Sequence, residues 1–138
     1  MDRLKKGLSK LPPLIFTIIV LMMILWLTLA PKPLGEKPPS LFPGADKVAH
    51  SIMFGGFALV MLLDWQRKHG WREVKWYRMI LAALISSALG ILIEFMQNAM
   101  GLGRGFEYED IIADISGAFI FAISYFYFQS CLTSGTDN

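Results

Sequence analysis

The feature that most constrains this chain is a series of long apolar segments without charge. The first lies between Lys10 and Lys32, where 21 residues carry no charge and residues 14–30 are almost wholly apolar. About 20 apolar residues in a helix cross the hydrocarbon core of a bilayer. The segment is longer than the apolar part of a signal peptide, and Pro31 follows the one plausible cleavage position. We therefore predict a membrane span that is not cleaved.

Three further apolar segments follow. Residues 48–63 are free of charge, and residues 79–103 and 111–128 contain one charged residue each, Glu94 and Asp114. Each segment, with its flanking residues, is long enough for a helix that crosses a bilayer. The chain is therefore predicted to be all-α, a four-helix transmembrane bundle. The expected spans of this single domain, residues 1–138, are about 12–30, 46–65, 77–100 and 110–128.

Composition agrees with a membrane protein and argues against other classes. Charged residues make up 17% of the chain, whereas soluble domains carry about 25%. No segment has enough Lys and Arg to neutralise a track of phosphates, so no nucleic-acid partner is expected. Cys131 is the one cysteine, which excludes an intramolecular disulfide and a multi-cysteine metal site. The proline-rich residues 31–44 predict an extended linker after the first span.

The distribution of Lys and Arg predicts the orientation of the spans. The N-terminal segment has four of these residues and the loop between spans two and three has five. On the other side, the proline-rich linker with the start of span two has three, and the last loop has one. Because cytoplasmic loops are enriched in Lys and Arg, we expect both termini in the cytoplasm. The basic residues 67–78 should then touch anionic lipid headgroups at the inner surface.

Polar residues of the last three spans fall into one layer on the predicted outer side. They recur at helical spacing, as Asp110 and Asp114 do, so each helix has one polar face. Because a charge that faces lipid is costly, the three polar faces should meet inside the bundle, with the first span outside the cluster. Small surfaces for close helix packing are expected at Gly90 and Gly117. The predicted cluster comprises Asp46, Lys47, His50, Glu94, Gln97, Arg104, Glu107, Asp110 and Asp114.

The charge of this layer is unbalanced. Six acids against two bases, Lys47 and Arg104, give a net charge of −4 if every group is ionised. A partly buried site does not hold such a charge easily. Some carboxyl group should carry a proton, a cation should bind, or some acids should stay in water. The acids expected in water are those of the last loop, Glu107 and Glu109.

Three short motifs in this layer resemble those of the VanZ-like family of membrane proteins. Residues 46–50 match a D-K-x-x-H pattern, and residues 94–97 match E-x-x-Q. Residues 104–117 resemble a longer pattern, R-x-x-D-x-x-D-x-x-x-N-x-x-G. Two positions depart from it: Glu107 replaces an aspartate and Asp114 replaces an asparagine, which adds a charge. The resemblance covers about residues 44–122, which is most of the chain.

This resemblance implies a multi-pass protein of the bacterial cytoplasmic (inner) membrane and cell envelope. The namesake of the family is associated with low-level resistance to the glycopeptide teicoplanin, so an effect on teicoplanin susceptibility is an expectation. The leading interpretation is a protein that binds a polar or charged group at its outer face. Membrane lipids are the expected partners, together with a lipid-linked cell-wall precursor, whose headgroup would be the ligand.

Two alternative functions stay open. The first is a membrane enzyme that uses His50, Glu94 and Asp114 as acid–base or metal-binding groups, although no serine nucleophile motif, HExxH or Walker sequence supports it. The second is a proton-coupled carrier, which would act as a homo-oligomer because one four-span unit lacks the internal repeats of many carriers. The motifs identify no cofactor and no metal ion, while the charge balance leaves a bound cation open.

The predicted orientation can be tested by cysteine labelling on a Cys131→Ser background. In intact cells, an impermeant thiol reagent should label a Lys37→Cys variant and leave a Lys68→Cys variant unlabelled, because the Lys and Arg bias places residue 37 outside. Labelling after cell lysis controls for accessibility of both positions. The opposite pattern of labelling would overturn the orientation.

Overall fold

The computed structural model describes residues 7, 8, 10–30, 42–101 and 106–134, with side chains as far as residue 131. Most of the predicted proline-rich linker and Arg104 lie outside these residues. The described part of the chain is helical and contains no strand, which confirms the all-α prediction. Its helices are α1 (Ile15–Leu29), α2 (Ala45–Lys68), α3 (Trp76–Met100) and α4 (Tyr108–Ser134).

Three of these helices, α2, α3 and α4, are long and apolar enough to cross a membrane. The predicted first span is the apolar helix α1, which has 15 residues and begins only after Pro12 and Pro13. At 1.5 Å per residue α1 is about 22 Å long, shorter than the hydrocarbon core of about 30 Å. The chain is therefore an all-helical protein with three helices of spanning length and one shorter apolar helix.

Helices α2 and α4 approach each other closely at two glycines. A Cβ atom added at Gly117 would collide with the backbone of Ser51, and one added at Gly55 would lie 2.5 Å from the ring of Phe121. The Ser51 hydroxyl donates a hydrogen bond to the carbonyl oxygen of Ala113, at 2.9 Å. Small residues at such crossings let helix backbones touch, which is how membrane helices gain packing energy. Gly117 thus lies at a backbone contact.

Apolar packing fills the space between the helices, while the outer helix faces are also apolar. Ala58, Leu62 and Ala118 belong to a core between α2, α3 and α4, and Ile24 of α1 packs with Phe54 in a second core. Large apolar side chains are exposed on every helix; examples are Ile18, Ile52, Leu84 and Ile120. Lipid tails are as apolar as leucine, so such a surface is suited to a bilayer.

A buried ion pair near the end of α2 anchors the start of α1. Arg67 Nη2 and Asp64 Oδ1 are 2.9 Å apart, and both side chains are almost fully buried. The other oxygen of Asp64 accepts hydrogen bonds from the backbone N–H and the hydroxyl of Thr17, both at 2.8 Å. Thr17 lies in the first turn of α1, where backbone N–H groups have no partner within the helix. Asp64 therefore caps α1 from a neighbouring helix.

Arg67 also binds the backbone that precedes α1. Its guanidinium donates hydrogen bonds to the carbonyl oxygens of Leu8, Leu11 and Pro12, at 2.6–2.9 Å. The expectation that residues 67–78 face lipid headgroups is therefore wrong for Arg67. Its position next to Asp64 and three carbonyl groups satisfies its donors inside the protein, which offsets the cost of burying the charge.

The loop between α2 and α3 is held to α4 by a second polar network. Gln129 of α4 accepts a hydrogen bond from the N–H of Val74 at 2.8 Å and donates one to its carbonyl oxygen at 2.6 Å. Gln66 donates to the same Gln129 oxygen at 3.0 Å and accepts a hydrogen bond from Tyr125. The side chains of Gln66, Tyr125 and Gln129 thus form one hydrogen-bonded network, which fixes the α2–α3 loop.

The Asp64–Arg67 pair should make a large contribution to stability. An Asp64→Ala substitution leaves a buried guanidinium without its counter-ion, a change that costs about 3–5 kcal/mol in buried pairs. The measurement is the free energy of unfolding in detergent micelles. An Arg72→Leu variant, which changes an exposed basic residue of the loop that follows α2, is the control and should stay within about 0.5 kcal/mol of the wild type. Equal stability of the two variants would contradict the anchoring role.

Candidate functional site

The candidate site lies at the opposite end of the bundle, where α2 begins, α3 ends and α4 begins. His50 is on the second turn of α2, and Asp110 and Asp114 are on successive turns of α4. The Nδ1 atom of His50 is 3.0 Å from Asp114 Oδ1, and its Nε2 atom is 3.8 Å from Asp110 Oδ2. All three residues are buried. One imidazole therefore lies between two carboxylates of the same helix face.

Gly90 of α3 provides the space for the Asp114 carboxylate. A Cβ atom at position 90 would be 2.5 Å from Asp114 Oδ2 and 2.8 Å from its Cβ. The Asp114 side chain is only 1% exposed and fits between His50 and the backbone of α3. Gly90 was predicted to allow close packing of two helices, and in the structure it makes room for a carboxylate side chain.

Glu94 is the residue by which the third helix, α3, takes part in the site. Its side chain is 1% exposed, and Oε2 accepts a hydrogen bond from the backbone N–H of Glu107, at 3.3 Å. Its other oxygen, Oε1, has no hydrogen-bond partner among the described residues. One ligand atom from each of His50, Glu94 and Asp110 lies within 4.8 Å of the others. We call His50, Glu94, Asp110 and Asp114 the cluster floor.

Lys47 lies at the solvent-exposed end of the site. Its Nζ atom lies 2.9 Å from Asp46 Oδ2, 2.5 Å from Glu107 Oε2 and 3.0 Å from Asp110 Oδ1. Glu109 is further away, at 3.6 Å. Glu107 and Glu109 are exposed, as expected for acids that stay in water, and Asp46 is exposed as well. We call Asp46, Lys47 and Glu107 the rim.

The structure thus brings seven of the nine predicted cluster residues to one end of the bundle, as the cluster floor and the rim. Gln97 is different, because its amide donates a hydrogen bond to the carbonyl oxygen of Thr28 on α1, at 2.8 Å. Thr28 is in the last turn of α1, where carbonyl groups lack a partner within the helix. Gln97 therefore joins α3 to α1. Arg104, the ninth residue, lies outside the described residues.

The described part of the site can hold positive charge. Six carboxylates outnumber the ammonium group of Lys47 and the one imidazole, and the cluster floor is shielded from water. A cation, a proton or an organic ammonium group is stabilised in such surroundings, whereas an isolated anion is repelled. Sequence reasoning missed Ser51, whose hydroxyl lies one residue after His50 and fixes α2 against α4.

Comparison with known proteins assigns the chain to a family. The family model VanZ/LLP1 matches residues 14–129, which include all four helices except the end of α4 and every residue of the site. The chain belongs to the VanZ/LLP1 family. The resemblance drawn from the three short motifs is thereby confirmed. No curated protein and no solved structure matches the chain.

Proposed function

We propose that this VanZ/LLP1 family member binds the headgroup of an envelope lipid or of a lipid-linked cell-wall precursor. Binding takes place at the rim, in the bacterial cytoplasmic membrane. The observation that carries the proposal is an acidic site, open at the rim, at the ends of three helices of spanning length. Helix ends of a membrane span lie at the level of the headgroups, so a lipid headgroup reaches this site without leaving its leaflet.

The charge of the site favours a headgroup that carries a primary ammonium group. At the rim, Lys47 Nζ is surrounded by oxygens of three different carboxylates within 3.0 Å. The spacing of these carboxylates therefore suits an ammonium group. The negative charge that Lys47 leaves unneutralised favours a second ammonium group, which the ligand would supply. The amino group of an aminoethyl phosphate headgroup and a free amine on a precursor peptide both have this chemistry.

The orientation predicted from the distribution of Lys and Arg supports a ligand on the outer surface. In that orientation the Lys-rich and Arg-rich segments lie inside and the rim faces away from the cytoplasm. That is the side on which externally added glycopeptides meet the cell. An effect on teicoplanin susceptibility is part of this proposal, and it follows from occupation of the same site.

Headgroup preference can be measured by native mass spectrometry of the protein in nanodiscs that contain equal amounts of phosphatidylethanolamine and phosphatidylglycerol. We expect phosphatidylethanolamine to be retained about twofold to fivefold over phosphatidylglycerol, because an exposed ion pair contributes up to about 1 kcal/mol. An Asp46→Asn/Glu107→Gln variant should lose the preference. Glu73→Gln, which removes an exposed carboxylate at the other end of the bundle, should keep it.

Two results would contradict this proposal. One is equal retention of the two lipids by the wild type, and the other is an unchanged preference in the double variant. The same three proteins, expressed in a susceptible host, provide the readout for teicoplanin. Wild type and Glu73→Gln should shift susceptibility equally, and the double variant should shift it less.

A further inference from the structure

We propose that His50, Glu94 and Asp110 bind a divalent cation of the zinc class in the cluster floor, with Asp114 as the group that orients the imidazole. The inference goes beyond headgroup binding, since it concerns the buried floor and not the rim. The proposed metal site does not depend on which headgroup binds at the rim. Four observations support it: the spacing of the ligand atoms, the hydrogen bond of His50, the Glu94 oxygen atom without a partner and the local charge.

The spacing of the three residues fits one metal ion after small side-chain rotations. Their ligand atoms all lie within 4.8 Å of one another, and the residues come from three different helices. Zinc binds imidazole nitrogen at about 2.0–2.1 Å and carboxylate oxygen at about 2.0–2.2 Å, so two ligands of one ion are about 3–4 Å apart. His50 Nε2 and Asp110 Oδ2, at 3.8 Å, are already within that range.

The hydrogen bond of His50 directs the other ring nitrogen towards the proposed ion. Asp114 Oδ1 lies 3.0 Å from Nδ1, and an ionised carboxylate accepts only, so Nδ1 carries the hydrogen. In a neutral imidazole, Nε2 then presents a lone pair to Asp110 Oδ2, which is also an acceptor. A metal ion between the two atoms, or a proton on Nε2, removes this conflict. Histidine ligands of metals commonly donate their second N–H to a carboxylate in this way.

A buried carboxylate oxygen of a proposed ligand gives an independent indication of a ligand. Glu94 Oε1 has no hydrogen-bond partner among the residues that the structure describes, and its side chain is 1% exposed. Burying a polar atom without a partner is costly, and the cost is greater for a charged group. A metal ion bound to Glu94 supplies the missing interaction within the cluster floor.

The charge of the cluster floor also matches a divalent cation. Glu94, Asp110 and Asp114 carry three negative charges when ionised, and the charge of Lys47, 3.0 Å from Asp110, is shared with Asp46 and Glu107 at the rim. One divalent ion neutralises two of the three charges of the cluster floor. One imidazole nitrogen among carboxylate oxygens favours zinc and related transition metals over magnesium or calcium, which prefer ligand sets made only of oxygen.

The experiment uses the full chain in detergent, stripped with a chelator and titrated with Zn²⁺ against a fluorescent zinc indicator. We expect one tightly bound Zn²⁺ per chain and no displacement by millimolar Mg²⁺. Glu94→Gln should weaken zinc binding at least about tenfold, and Asp114→Asn should weaken it about 10- to 100-fold, as is usual for groups that orient a ligand. Glu109→Gln, an exposed carboxylate next to the site, should stay within about twofold of the wild type.

X-ray absorption at the zinc edge of the wild-type protein gives a readout that does not depend on how the variants fold. It should detect one imidazole ligand among oxygen ligands. The proposal is overturned if the wild type binds no stoichiometric zinc, if the spectrum lacks imidazole, or if Glu109→Gln weakens binding as much as Glu94→Gln. No lipid is present in the titration, so its failure leaves the headgroup preference standing, and failure of the nanodisc measurement leaves the metal site standing.

Discussion

The hydrogen bond between His50 and Asp114 is the interaction on which the polar end of this protein depends. It joins α2 to α4 next to the point where Gly117 lies against the backbone of Ser51, so the polar contact and the close packing support each other. Each partner is buried, and each would be a costly polar group without the other. With this pair in place, Asp110 follows on the same face of α4, and Glu94 meets it from α3.

Charged groups are concentrated at two ends of the bundle, and apolar packing separates them. At one end the cluster floor and the rim hold an excess of carboxylates, while at the other end Asp64 and Arg67 form a balanced pair. The balanced pair satisfies its hydrogen-bonding groups by capping α1 and binding nearby carbonyl oxygens. The excess charge of the first end has no such compensation among the described residues. Because of this difference, we expect ligands to bind at the first end.

Helical spacing and the cost of exposing charge to lipid were enough to predict the all-α fold and the layer in which the polar residues lie. The partners of individual side chains depend on helix positions that periodicity does not specify. Gln97 bonds to Thr28 because α1 ends beside it, and no local pattern indicates where α1 packs. The carbonyl partners of Arg67 lie 55–59 residues earlier in the chain, so no neighbouring residue indicates that its side chain is buried. The i,i+3 spacing of Asp64 and Arg67 indicates an ion pair, but exposed ion pairs on helices have the same spacing, so it does not predict burial.

A double-mutant cycle on His50 and Asp114 tests the central claim most directly. Unfolding free energies are measured in detergent with chelator for the wild type, His50→Leu, Asp114→Leu and the double variant. Each single substitution leaves a buried polar partner, whereas the double variant leaves neither, so the account predicts a coupling of about 1–3 kcal/mol between the two positions. Additive effects, within about 0.5 kcal/mol, would contradict it, because independent residues add in this way.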